Sequence, residues 1–278
     1  MRIAINAKLF QIKDEQFLKA LKGAGFDGID LDLSSAKSLF EGDVENRSKE
    51  LRAHLDENGI ECSQVHLPYY SLFASSELWD TETDEKIEKS FTVMKILGAK
   101  WGAFHPLTAF NFSCDSKRAI ADNREKLLRY LKAAEREGVG IAVENIPIFP
   151  DCPQYKFFSA NPDDHIMLVD SIKSDFIGVC WDFGHANLMT YDMCEALDKM
   201  GDRIKILHMH SNFGDYDRHL CPYIGSVEFD KLLPILKKNG FDGTLSLEIN
   251  YDLIRPQILP DYLNMCAKAA RDMTKYFR

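Results

Sequence analysis

The chain has 278 residues, 45% hydrophobic and 28% charged, the profile of an ordinary globular protein with a sizeable core. Its formal net charge of −9 argues against a nucleic-acid partner held by electrostatics, because phosphate contacts need clustered Lys and Arg. No apolar run approaches the roughly 20 residues of a membrane span. The opening "MRIAINAKLF" reads as a strand rather than a signal peptide. Seven cysteines are scattered from Cys62 to Cys266 without a Cys-x-x-Cys pair, which fits buried, reduced thiols in a cytoplasmic protein.

In chain order, short β-rich runs occur at "RIAIN" (2–6), "GIDLDL" (28–33), "IECSQVHL" (60–67) and "KWGAFH" (100–105). Four more follow at "VGIAVEN" (139–145), "FIGVCWD" (176–182), "RIKILHMH" (203–210) and "GTLSLEIN" (243–250). Between them lie stretches with helical spacing. In "NREKLLRYLKAAEREG" (123–138), Leu127, Leu128, Leu131 and Ala134 are expected on one apolar face, with Gly138 as the stop. "LKGAGFDGIDLDL" and "LKKNGFDGTLSLEI" show the same helix end, glycine cap and Phe-Asp-Gly turn before the second and eighth strands. The Pro- and aromatic-rich segment 146–160 reads as a long loop after the fifth strand.

Eight strands alternating with helices imply parallel βαβ units. At this length the count favours a closed (β/α)8 TIM barrel over an open doubly wound sheet, as a single domain covering residues 1–278. In such a barrel the loops after the strands build the functional face.

The metal-capable residues fall at strand ends. His66 closes the third run, His105 the fourth, Glu144 the fifth, Asp182 the sixth, His210 the seventh and Glu248 the eighth. His185, Asp217 and His219 follow in adjoining loops. A single His in a strand is more often a packed residue than a ligand, and a lone Glu at a strand end often caps the following helix. Six such residues at consecutive strand ends are different, since gathering them without a cation carries desolvation and repulsion costs. A divalent metal site is therefore expected. Oxygen-rich ligation by Glu144, Asp182, His210 and Glu248 suits Mn2+, Mg2+, Co2+ or Zn2+.

Within "HMHSNFGDYDRH", alternation puts His208 and His210 on one face. His210, nearer the mouth, is expected to be the ligand, with His208 as an inward residue that orients it. Asp217 and His219 are candidates for a second ion or for substrate hydroxyls, and Asp215 reads as a solvated loop charge. His66, His105 and His185 are further candidate metal or substrate contacts.

The motifs "VHLPY", "FHP", "VEN", "WDFGHAN", "HMHSNFGDYDRH" and "LSLEIN" resemble, in order, the strand-end motifs of the xylose-isomerase-like barrel superfamily. That superfamily includes sugar isomerases and epimerases, inosose dehydratases and endonuclease-IV-type nucleases. The resemblance implies one divalent ion on Glu144, Asp182, His210 and Glu248, with the two glutamates as the acid/base pair. Its nuclease branch holds three zinc ions, and the added positions match His66, His105, His185, Asp217 and His219. The chain departs from the pattern at "INAKLF", which lacks that branch's N-terminal histidine. Ser211 stands where an acid is frequent, and "YIGSVEF" lacks the first glycine of the usual G-x-G.

The implied chemistry is proton removal beside a carbonyl, through an enediolate stabilised by the metal, with the glutamates taking and returning the proton. Epimerisation or isomerisation of a sugar or sugar phosphate follows. An inosose-dehydratase-like lyase and an endonuclease-IV-like zinc phosphodiesterase are the alternatives. A sugar-binding protein without catalysis would instead depend on pocket aromatics such as Phe10, Trp101 or Phe110. Neither a membrane nor a nucleic acid is an expected partner, and a homo-oligomer is compatible with the resemblance.

Overall fold

The computed structural model describes residues 1–70, 81–107, 115–151 and 157–278. Eight parallel strands are present: β1 (Ile3–Lys8), β2 (Gly28–Asp32), β3 (Glu61–His66), β4 (Trp101–Phe104), β5 (Gly140–Glu144), β6 (Ile177–Asp182), β7 (Ile204–His208) and β8 (Leu245–Leu247). Each of the eight expected runs overlaps one of them, and β1 continues two residues past its run. Their order is β7-β6-β5-β4-β3-β2-β1-β8. β1 pairs with β2 through Ala4 and Gly28, and with β8 through Ile3 and Leu245.

A narrow seam closes the barrel. β7 and β8 meet at an isolated bridge between Met209 and Leu247. There the Met209 N–H donates to the Ser246 carbonyl at 2.9 Å, and the Glu248 N–H to the Met209 carbonyl at 3.2 Å. The chain is therefore a (β/α)8 TIM barrel, with helices between successive strands.

Local chemistry starts and stops the helices where the pattern places them. Asp14, Asp43, Asp115, Asn161 and Asp192 each accept a backbone N–H at a helix N-terminus. Such a cap contributes about 1 kcal/mol. Gly138 takes the left-handed conformation after the Ser116–Glu137 helix, as expected. On that helix Leu127, Leu131 and Ala134 are buried, but Leu128 is exposed and Tyr130 completes the inner stripe. Leu128 sits one residue, about 100°, round the helix from Leu127. That step carries it off the face.

The main core lies between the barrel and its helices. Inside the barrel a smaller plug is made by Ala103, Ala142, Cys180 and Ile206. Alternation sets the next inward layer two residues further along. That layer is His105, Glu144, Asp182 and His208, so an apolar floor lies directly beneath an ionisable layer. Trp101 packs under the plug, at the opposite end from the strand C-termini, so it is not a pocket aromatic of the mouth. Phe10 is 66% exposed and also lines no cavity at the mouth. Phe110 lies outside the described residues. Among the described residues no helix is long and apolar enough to cross a membrane.

Candidate metal centre

Strands β5 to β8 bring four ligand-bearing side chains together. Glu144, Asp182, His208 and Glu248 place one ligand atom each within 4.8 Å of one another. His208 Nδ1 lies 3.3 Å from Glu144 Oε1, 3.4 Å from Glu248 Oε2 and 3.9 Å from Asp182 Oδ2. With metal–ligand bonds of about 2.1 Å, two ligands of one ion sit about 3–4 Å apart, so the spacing fits a single ion. Glu144, Asp182 and His208 are fully buried.

Sequence reasoning expects His210 as the imidazole ligand, and both histidines approach this layer. β7 ends at His208, and Met209 then turns to pair with β8. His208 lies beside Glu144 and Glu248, while His210 Nε2 is 2.9 Å from Asp182 Oδ1 and 3.1 Å from Oδ2, closer to that acid than His208 is. His210 stacks on His219, with ring centroids 4.0 Å apart. Gly184 makes room for it, since a Cβ at that position would collide with the His210 ring.

His210 therefore belongs to a second group, with His185, Asp217 and His219. His185 Nε2 is 3.3 Å from Asp217 Oδ2, and His219 Nε2 is 3.1 Å from the same oxygen. A third group joins His66 and His105 to Glu144, with Nε2 of the two histidines 3.7 and 3.2 Å from Glu144 Oε2. Every sequence-predicted site residue thus lies in one of three adjoining groups. Asp215 does not. It pairs with Arg218 at the surface, as expected of a solvated loop charge.

The electrostatics show what the layer lacks. Burial alone would raise the Glu144 carboxyl, yet His208 and His105 hold it well below the usual carboxylate range. Burial opposes charge on His185, but Asp182 and Asp217 raise it well above an ordinary histidine. His219 is raised to about 9, with burial outweighed by its contact with Asp217. Despite these close approaches, neither Glu144 oxygen and neither His208 ring nitrogen has an aligned hydrogen-bond partner. Buried polar atoms are rarely left this way. A divalent cation would satisfy the carboxylate oxygens and one imidazole nitrogen together. The residues present therefore fit the group that the carboxylate-rich donor set implies.

Above the layer lies a cavity of about 330 Å3 whose wall includes Asn6, Asp32, Tyr69 and Asn250. The Tyr69 ring lies 4.7 Å from that of His105 and 5.3 Å from that of His66. Lys8, on the rim, is ion-paired with Asp252. Two non-glycine residues near the mouth have left-handed backbones, His219 (φ 45) and Tyr223 (φ 69). Tyr223 occupies the position of the missing glycine. It keeps that conformation while its hydroxyl donates to Asp272 Oδ2 at 3.1 Å. Such backbone strain, of order 1–3 kcal/mol, persists only where the surroundings impose it.

A parallel barrel with ionisable groups crowded at the strand C-termini is the arrangement of a barrel enzyme. The family model for the xylose isomerase-like TIM barrel matches residues 18–269, and the chain belongs to that family. An uncharacterized protein of Methanocaldococcus jannaschii is 29% identical over 226 residues, covering 76% of this chain and 73% of the relative. A D-psicose 3-epimerase of Enterocloster bolteae is 22% identical over 247 residues, covering 84% and 76%. Among solved structures, a D-tagatose 3-epimerase-like protein superposes with a TM-score of 0.76 at 22% identity, over 98% of this chain and 99% of that one. IolI protein with a bound zinc atom gives 0.72 at 18%, over 100% and 98%.

Proposed function

We propose that the protein is a metal-dependent sugar isomerase or epimerase whose ion is held by Glu144, Asp182, Glu248 and an imidazole from the end of β7, His210 or its neighbour His208. The observation that carries this reading is the quartet itself, three carboxylates and an imidazole at single-ion spacing with orphaned buried atoms. The similarity to a D-psicose 3-epimerase supports the sugar class. A bound divalent ion would supply positive charge to the oxyanion that develops when a proton leaves the carbon beside a carbonyl.

The chain's own residues do the rest. Glu144 lines the cavity, where its carboxylate can exchange a proton with a bound sugar. Glu248, with 17% of its side chain exposed, can exchange one with a sugar in the cavity. Returning the proton to the opposite face of the same carbon gives epimerisation, and returning it to the next carbon gives isomerisation. His66 and His105, beside Tyr69, are placed to meet substrate hydroxyls. The Ala103, Ala142, Cys180 and Ile206 plug keeps water from reaching the layer from below.

A second reading adds further ions. Its supporting observation is that the His185, His210, Asp217 and His219 group and the His66, His105 and Glu144 group also have ligand spacing. That reading admits phosphodiester hydrolysis. Elemental analysis beside native mass spectrometry separates the two. Near one equivalent of metal per chain, with turnover of free ketoses or their phosphates, is the expected result. Two or three equivalents of zinc with cleavage of abasic DNA would replace the isomerase reading.

A further inference from the structure

Pairing between β5 and β6 ends at Glu144 and Cys180, yet β6 runs on to Asp182. Past Glu144 the chain turns away, and the Ile146 N–H donates to Ser159 Oγ at 3.1 Å. Two carboxylates of the ligand quartet therefore stand on neighbouring strands just where the backbone ladder between them stops. The side chain of Asn145 takes the ladder's place. Its Oδ1 accepts the Asp182 N–H at 2.7 Å, and its Nδ2 donates to the Asp182 carbonyl at 2.9 Å. Asn145 is 3% exposed and Asp182 is fully buried, so water does not compete for these bonds.

In a strand the N–H and C=O of one residue point to the same side, and its side chain stands perpendicular to them. A carboxamide carries an acceptor and a donor in one plane, so it grips both groups at once. An aspartate at position 145 would instead set an acceptor against the Asp182 carbonyl. Gripped at two points, Asp182 cannot swing about the turn that follows, where its Oδ1 accepts the His185 N–H at 2.6 Å. Its carboxylate is thereby held beside that of Glu144, with ligand atoms of the two within 4.8 Å. A second asparagine makes the same grip elsewhere. Asn123, on the Ser116–Glu137 helix, accepts the Leu107 N–H at 2.8 Å and donates to the Leu107 carbonyl. It is also fully buried, but Leu107 offers no ligand atom. The two clamps are alike in chemistry and differ in what they hold.

We infer that Asn145 is a positioning residue that sets the separation of Glu144 and Asp182 across the end of the β5–β6 ladder. This rests on the proposal above that these two acids share an ion, and it holds whichever histidine at the end of β7 completes the set. The test is competition titration of Mn2+ and Zn2+ against a chelator, with the metal-free proteins unfolded in parallel. Asn145→Ala should weaken both metals about 10–100-fold and shift the visible absorption of bound Co2+. Asn123→Ala should also lower the metal-free unfolding midpoint, but leave the affinity near that of the parent. Unchanged affinity in Asn145→Ala, or an equal loss in both variants, would mean a merely structural role and overturn the inference.

Asn145→Ser serves if Asn145→Ala does not fold. Its short hydroxyl restores the grip only in part, so a smaller loss of affinity is expected, and no loss overturns the inference. Asp182→Asn separates the ligand set from its support. If it binds both metals as tightly as the parent, the ligand set fails and the inference with it. If it loses metal while Asn145→Ala does not, only the positioning role fails. Adding Asn145→Ala to Asp182→Asn should cost little more. A further loss equal to that of Asn145→Ala alone would show that Asn145 acts other than through Asp182, and would overturn the inference.

Discussion

Asp84 and Glu144 are both buried acids, 3% and 0% exposed, yet their surroundings are opposite. Asp84, in the first turn of the Thr81–Leu97 helix, is saturated with donors. Lys126 Nζ reaches its two oxygens at 2.8 and 2.7 Å, Arg129 Nη1 lies 2.9 Å from Oδ2, and the hydroxyls of Tyr70 and Tyr130 both donate to Oδ1. Burial pushes the carboxyl up, but the bond to Lys126 wins and holds it low. Glu144 has four histidines close by and no aligned donor. The first arrangement is complete without a ligand. The second leaves oxygens that a cation would satisfy. Satisfaction, rather than burial, separates a structural acid from a functional one.

The largest effect that could break this contrast is on catalysis. Glu144→Gln should lower turnover about 10^2- to 10^4-fold in a steady-state assay, with a cooperative fold by circular dichroism. Turnover within about tenfold of the parent would remove Glu144 from the proton transfer. Asp84→Asn should do the reverse. It should cost about 3–5 kcal/mol in denaturant unfolding, because the buried acid loses the charge that Lys126 and Arg129 pair with. Turnover per folded molecule should barely change.

The pH dependence follows from the same carboxylate. The folded pKa of Asp84 is depressed below its ordinary 3.8, so its contribution is full above that value. It is lost as pH falls through the lower, folded value. Asp84→Asn should therefore flatten the acid limb of the stability curve, and an unchanged limb would put the acid sensitivity elsewhere. Next in size is metal addition. At about 100 times Kd it should stabilise the parent by about 2.7 kcal/mol and Glu144→Gln much less. Equal thermal shifts in both would show that the ion binds away from Glu144. Smallest is Tyr70→Phe, which removes one of several donors to Asp84 and should cost about 1–2 kcal/mol in the same unfolding experiment.

Much of this was legible in the chain because period and end signals are local. The β-rich runs place all eight strands, and the acids and histidines at their ends recur in the groups that have ligand spacing. The depth of a side chain within the barrel is not local. Alternation equates His208 with His210, and only the turn of Met209 onto β8 makes one a neighbour of Glu144 and the other a neighbour of His219. Leu128 was misplaced by a single step round a helix whose inner stripe is filled by Tyr130.

The seam between β7 and β8 has a consequence for motion. Here the barrel is joined by one bridge, where every other neighbouring pair shares a ladder. Local opening in proteins concentrates where backbone bonds are fewest. The amides of Met209 and Glu248 should therefore exchange with deuterium sooner than those of β1 or β5. His208 and Glu248 stand on opposite sides of this gap. An ion gripped by both would rivet the barrel shut, and loading the site should slow exchange at the seam first.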